Sequence, residues 1–167
     1  ATDMDADGDI DILGVAEYDD NNLVWWENDG SGSFTSHIID SDFRYGVSVY
    51  ATDVDGDGDI DILGAASELA ASASSDAVAW WENEGDETFT RHFIDGYRGG
   101  NSVHAADVDG DGDVDILSAA EGEDLITWSE NDAIQNYTKQ LITYGFDGAY
   151  AVYATDLDGD EDGDVLG

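Results

Sequence analysis

Hydrophobic positions along the chain come in short runs bounded by Gly, Asn and Asp. In the best-defined stretch these runs are Val47-Ser48-Val49-Tyr50-Ala51-Thr52, Ile62-Leu63-Gly64-Ala65-Ala66, Val78-Ala79-Trp80-Trp81-Glu82 and Phe89-Thr90-Arg91-His92-Phe93-Ile94. No segment sustains a 3.6-residue period, so the pattern predicts strands and turns rather than helices. The first run has counterparts at Ser102–Ala106 and Ala151–Thr155. The third run is apolar on both faces, as expected of a sheet covered on both sides. The second is rich in Gly and Ala, which suits the strand where sheets crowd together.

The same pattern repeats. Ala1–Gly14 recurs as Ala51–Gly64, Ala105–Ser118 and Ala154–Gly167, and the leading Asp3, Asp53, Asp107 and Asp156 lie 50, 54 and 49 residues apart. Trp25-Trp26-Glu27-Asn28 returns as Trp80-Trp81-Glu82-Asn83 and Trp128-Ser129-Glu130-Asn131. Phe34–Ile39 returns as Phe89–Ile94 and Tyr137–Ile142. The longer second repeat takes up its extra residues in Glu68–Asp76, a Ser/Ala-rich loop. Four strands every ~50 residues are the signature of β-propeller blades. The expected architecture is all-β, with blades of four antiparallel strands: residues 1–50, 51–104, 105–153 and the start of a fourth blade over 154–167. The Trp pairs are expected to pack blade against blade, with sugar stacking as the lesser alternative. Ser129 breaks the pair in the third repeat.

Charge changes this picture. The 167 residues carry 41 acidic and 4 basic side chains, a formal net charge of −37. Such a surface repels nucleic acid and anionic membranes and attracts cations. At 41% hydrophobic, the chain is too apolar for a disordered acidic tail. It has no Cys, so metal ions are the expected staple. No apolar run reaches the ~18 residues that span a bilayer.

The acids are arranged for a metal. Asp53, Asp55, Asp57, Asp59 and Asp61 occupy positions 1, 3, 5, 7 and 9 of one tight loop. Asp3, Asp5, Asp7, Asp9 and Asp11 do the same, as do Asp107, Asp109, Asp111, Asp113 and Asp115. Alternate spacing turns several hard oxygens toward one point, which suits Ca²⁺ with its six to eight oxygen ligands. Positions 1, 3, 5 and 9 are expected to give side chains. Position 7 is expected to give its carbonyl, its own side chain facing water. Gly58 at position 6 permits a positive φ, and Ile60 at position 8 can anchor the loop. A merely solvated acidic turn is disfavoured, because five carboxylates within nine residues repel one another without a cation. An EF-hand fails, since position 12 is Gly14, Gly64, Ser118 or Gly167 rather than Glu, and strands flank the loop. The fourth loop, with Asp156, Asp158, Asp160, Asp162 and Asp164, has Glu161 where Gly58 stands and Gly163 where Ile60 stands, and is expected to bind most weakly.

The D-x-D-x-D-G-D-x-D loop between strands, with Ser48–Asp59 and Trp25–Gly30 around it, resembles the FG-GAP/VCBS repeat of integrin α-subunit-type β-propellers. The resemblance covers essentially the whole chain. It implies one Ca²⁺ in the hairpin between the first two strands of each blade, an extracellular or cell-surface setting, and a role in adhesion, surface display or assembly. A lectin propeller and a non-catalytic part of a polysaccharide-active enzyme are the alternatives it leaves open. Glycans or a protein ligand are the partners these readings imply. Catalytic motifs are missing from the sequence. His37 and His92 share one repeat position with Gln140, and His104 shares another with Tyr50 and Tyr153, as structural residues do. Asn136-Tyr137-Thr138 is a glycosylation sequon. An open set of three and a fraction blades would leave apolar end faces, so further blades of a longer chain, or copies of this one in a ring or filament, are expected to cover them.

Overall fold

Strands form where the alternating runs predict them. The computed structural model describes residues 1–16, 22–67, 78–95, 100–132, 136–159 and 163–167. The first sheet contains β1 (Ile12–Val15), β2 (Leu23–Asn28) and β3 (Phe34–Asp40), with Thr2 bridged to Asp11 beside it. The second contains β4 (Gly46–Thr52), β5 (Asp61–Ala66), β6 (Val78–Asn83) and β7 (Phe89–Asp95). The third repeats it with β8 (Gly100–Ala106), β9 (Asp115–Ala120), β10 (Leu125–Asn131) and β11 (Tyr137–Tyr144). A fourth pairs β12 (Tyr153–Thr155) with β13 (Asp164–Leu166). All the strand pairs are antiparallel. Among the described residues there is no α-helix, only one 3₁₀ turn at Glu121–Glu123. The Ser/Ala-rich Glu68–Asp76 stretch lies outside the described residues.

The sheets stack face to face, and each seam is an apolar cluster. Met4, Leu23, Trp25 and Phe43 meet Ile62, Ala79 and Trp81 between the first and second sheets. Val54, Leu63, Val78 and Trp80 meet Val103, Ala105 and Ile116 between the second and third. The two tryptophans of β6 point to opposite seams because successive side chains alternate across a strand. Each is about 1% exposed, so packing is their role. At the first seam the Trp81 indole N–H and the Arg91 guanidinium both donate to Asp40 Oδ2, each at 3.1 Å. The guanidinium also lies 5.3 Å from the Trp81 ring and 5.6 Å from that of Phe43.

The seams are carried by the first strands, β4 against β8 and β8 against β12, together with the second strands, β1 against β4 and β5 against β8. There the side chains form a ladder: Tyr50 meets His104 edge-on at 4.5 Å, and His104 stacks on Tyr153 at 4.4 Å. The small residues of the second strand have a further cause within the sheet. A Cβ on Gly64 would come within 2.8 Å of the Trp81 ring and 3.0 Å of Phe43, and one on Gly14 within 2.9 Å of Trp26. In the third sheet the ring is gone, Ser129 standing in its place, and Ser118 fills the glycine position. Its hydroxyl bonds Thr127 Oγ1 at 2.8 Å. Glycine and tryptophan thus change together.

Candidate metal centre

Each Asp-rich loop joins the inner strand of its sheet to the next and is built on its own carboxylates. The position 1 acid caps the turn. Asp53 accepts from the Gly56 N–H at 2.8 Å and the Gly58 N–H at 3.1 Å, and Asp107 accepts from Gly110 and Gly112 at 2.8 and 3.0 Å. Asp3 accepts from Asp7 and Gly8, and Asp156 from Gly159. Position 3 accepts from the position 5 amide, and position 5 from the position 7 amide. Positive φ is adopted twice in each of the first three loops. Gly8, Gly58 and Gly112 adopt it at position 6, as the sequence implied. Position 4 adopts it too, at Gly56, Gly110, Gly159 and Ala6, where Ala6 with φ 60° is the strained exception.

Position 9 is the buried anchor. Asp11, Asp61 and Asp115 are fully buried. Asp61 accepts the Val54 N–H at 2.9 Å on one oxygen and the Asn83 N–H at 2.8 Å on the other. Asp11 binds Met4 and Asn28 in the same way, and Asp115 binds Val108 and Asn131. Asp164 accepts from Leu157. The Asn side chains return the contact by donating to the position 8 carbonyl: Asn28 to Ile10, Asn83 to Ile60 and Asn131 to Val114. Sequence reasoning left these asparagines without a role, although the in-phase recurrence of Glu-Asn after the tryptophans was the available signal.

The loops bring acids together. One oxygen from each of Asp3, Asp5 and Asp11 lies within 4.8 Å of the others. The same holds for Asp53, Asp55 and Asp57, for Asp107, Asp109 and Asp115, and for Asp156, Asp158 and Asp164. Ligands at 2.3–2.6 Å on opposite sides of one Ca²⁺ are about 5 Å apart, so these spacings fit a shared hard cation, as does the all-oxygen donor set. Asp7 and Asp111 are exposed. The position 7 side chains of the first two loops do not simply face water. Asp9 and Asp59 lie against Gly30 and Gly85 of the outer hairpin, where a Cβ would come within 2.3 and 2.6 Å of the carboxylate. Asp113 is half-buried. Asp160 and Asp162 lie outside the described residues. Ile60 and Val114 pack on the seams as position 8 anchors, whereas Ile10 is exposed.

The electrostatics match a site that wants a cation. Burial pushes the Asp61 carboxyl up to about 6; its two backbone hydrogen bonds resist this, and Asp55 and Asp57 add to it. Loss of surrounding water also raises Asp5, Asp55 and Asp109, with repulsion from their loop neighbours and from Glu27, Glu82 and Glu130 behind it. Asp115 is raised by burial as well. These glutamates are held in turn by the next strand: His37 bonds Glu27 at 2.7 Å, His92 bonds Glu82 at 2.6 Å, and Gln140 bonds Glu130 at 3.0 Å. His37 and His92 also stack on Trp25 and Trp80, which makes them structural. Asn136 of the sequon is exposed, and its amide bonds Asp132. No described helix is long and apolar enough to cross a membrane.

Two comparisons bear on these repeats. The family described as an FG-GAP-like repeat matches the chain over residues 3–64, 67–118 and 107–167. No curated protein matches it.

Proposed function

The chain belongs to the FG-GAP-like repeat family, and from that membership we propose that it is a calcium-binding, extracellular β-propeller-type module that acts in adhesion, surface display or assembly, with no catalytic role. One observation carries the reading: four acid clusters, in phase with the repeat, each gather three carboxylate oxygens within 4.8 Å. Asp3, Asp5, Asp7 and Asp11 would hold one ion, with their counterparts in the later loops holding one each. The ion would supply charge neutralisation, and the chain's own residues would do the rest. Position 1 shapes the turn, position 9 fastens it to the sheet, and Asn28, Asn83 and Asn131 lock it to the third strand.

The interaction role rests on the exposed apolar face of the first sheet. Ile12 is 46% exposed, whereas its counterparts Ile62 and Ile116 are covered by a neighbouring sheet to 0% and 1%. A further blade or another copy would cover Ile12 in the same way. The lectin alternative draws less support, because Trp25, Trp80 and Trp81 are buried and offer no platform for a sugar. Light scattering on the purified chain, with and without Ca²⁺, tests the role. Calcium-dependent association that Ile12→Glu abolishes would support it. A monomer in both conditions whose only partner on an array is a glycan would replace it with the lectin reading.

A further inference from the structure

The outer strand of each sheet begins with an aromatic residue at one repeat position: Phe34, Phe89 and Tyr137. In the second and third sheets that residue reaches back to the preceding sheet. Phe89 packs on the cluster containing Met4, a residue of the first loop. Tyr137 packs on the cluster containing Val54, a residue of the second loop, and its ring lies edge-on to Trp80 at 6.5 Å. Tyr137 differs from the other two in a single atom. Its hydroxyl is buried and has no hydrogen-bond partner in the protein. Burial raises its pKa, and the charges of Asp61, Asp55 and Asp115, in that order, raise it further. The ring that carries the hydroxyl packs in the cluster of Val54, the residue between Asp53 and Asp55, so the oxygen is buried at the seam where the third sheet meets the second loop.

A buried, unpartnered hydroxyl costs about 1–3 kcal/mol. A phenylalanine, as used twice elsewhere in this chain, would avoid that cost. A hydrated cation in the second loop would offset it, because a water bound to the ion would donate to the phenol oxygen. We infer that Tyr137 is a positioning residue of the second cation site, its hydroxyl completing the outer hydration shell of an ion held by Asp53, Asp55 and Asp57 and so tying the third sheet to the second loop. The inference rests on the calcium reading above. It makes the second site unlike the first, where Phe89 offers no oxygen. Ions that fill the second loop then stabilise the seam between the second and third sheets as well as the loop.

The test is Tyr137→Phe, which removes one oxygen and leaves the ring. Calorimetric Ca²⁺ titration should show one site weakened by about 5- to 10-fold and the others unchanged. In an Asp53→Asn background, where the second site is disabled, Tyr137→Phe should have no further effect. Thermal melts supply a readout that packing alone would not move: the variant should melt lower than the wild type in Ca²⁺, but equal or higher in EDTA, where the hydroxyl is unpaired. Equal affinities, an equal loss in the Asp53→Asn background, or the same melting shift in both conditions would each overturn the inference while leaving calcium binding intact. A wild-type chain that binds no Ca²⁺ would instead remove the reading on which the inference rests.

Discussion

Stripping the ions should invert the pH dependence of stability. In the ion-free chain the Asp61 carboxyl is pushed from 3.8 up to about 6, chiefly by burial. Between those values the folded chain holds a proton that the unfolded chain has lost, so folding takes up protons and stability falls as pH rises through the window. The penalty is absent below about pH 3.8 and complete above about pH 6. At 1.36 kcal/mol per pKa unit it amounts to about 3 kcal/mol for this group. Asp5, Asp55, Asp109 and Asp115 are raised too and act with the same sign. His104 opposes them. Burial lowers its pKa below 6.5, so it favours folding at higher pH and loses that contribution on acidification. Asp29, lowered by the Ser31 hydroxyl, also opposes but is fully exposed. The large shift at buried Asp61 outweighs these two. Urea midpoints at pH 4.5, 5.5 and 6.5 in EDTA should therefore rise as pH falls. In saturating Ca²⁺ the ions keep the same carboxylates charged and protons compete, so the midpoints should fall. Asp61→Asn, which cannot ionise, should flatten the ion-free slope. Slopes of the same sign with and without Ca²⁺ would refute the reasoning.

Two substitutions probe the fold beneath the site. Gly64→Ala should cost about 1–3 kcal/mol by chemical denaturation, because its Cβ would sit 2.8 Å from the Trp81 ring. In a Trp81→Ser background the same change should cost less, though not nothing, because Phe43 still lies 3.0 Å from the added Cβ; an equal cost in both backgrounds would exclude this coupling. Ala6→Gly should stabilise the first loop, by about 1 kcal/mol in thermal or urea melts, because Ala6 holds φ at 60°.

Much of this was legible in the chain because the repeat displays each element several times. The runs Val47–Thr52, Ile62–Ala66, Val78–Glu82 and Phe89–Ile94 fall within β4 to β7, each within a residue or so of the strand's ends. Alternate aspartates announced the acid clusters for the same reason: carboxylates two residues apart in a tight turn converge. What was not legible lay across sheets. The cause of Gly14 and Gly64 is a ring on the adjacent strand, visible only once register places Trp26 and Trp81 over them. The role of Asn83 depends on its pairing with a loop more than twenty residues away, and that of Asp40 on Trp81 and Arg91 in the next sheet. The positive φ at position 4 was not legible, since Ala6 conceals what Gly56, Gly110 and Gly159 share. The position 7 acids were read as solvent-facing, but the outer hairpin curls over two of them.

The central claim is that calcium is part of this fold. A thermal melt of the chain in EDTA and in Ca²⁺ at about 100 times the dissociation constant addresses it directly. Each filled site then adds about 2.7 kcal/mol. For a chain of this size 1 kcal/mol moves the midpoint by about 2–4 °C, so three filled sites should raise it by roughly 15–30 °C. Identical midpoints in the two conditions would contradict the claim.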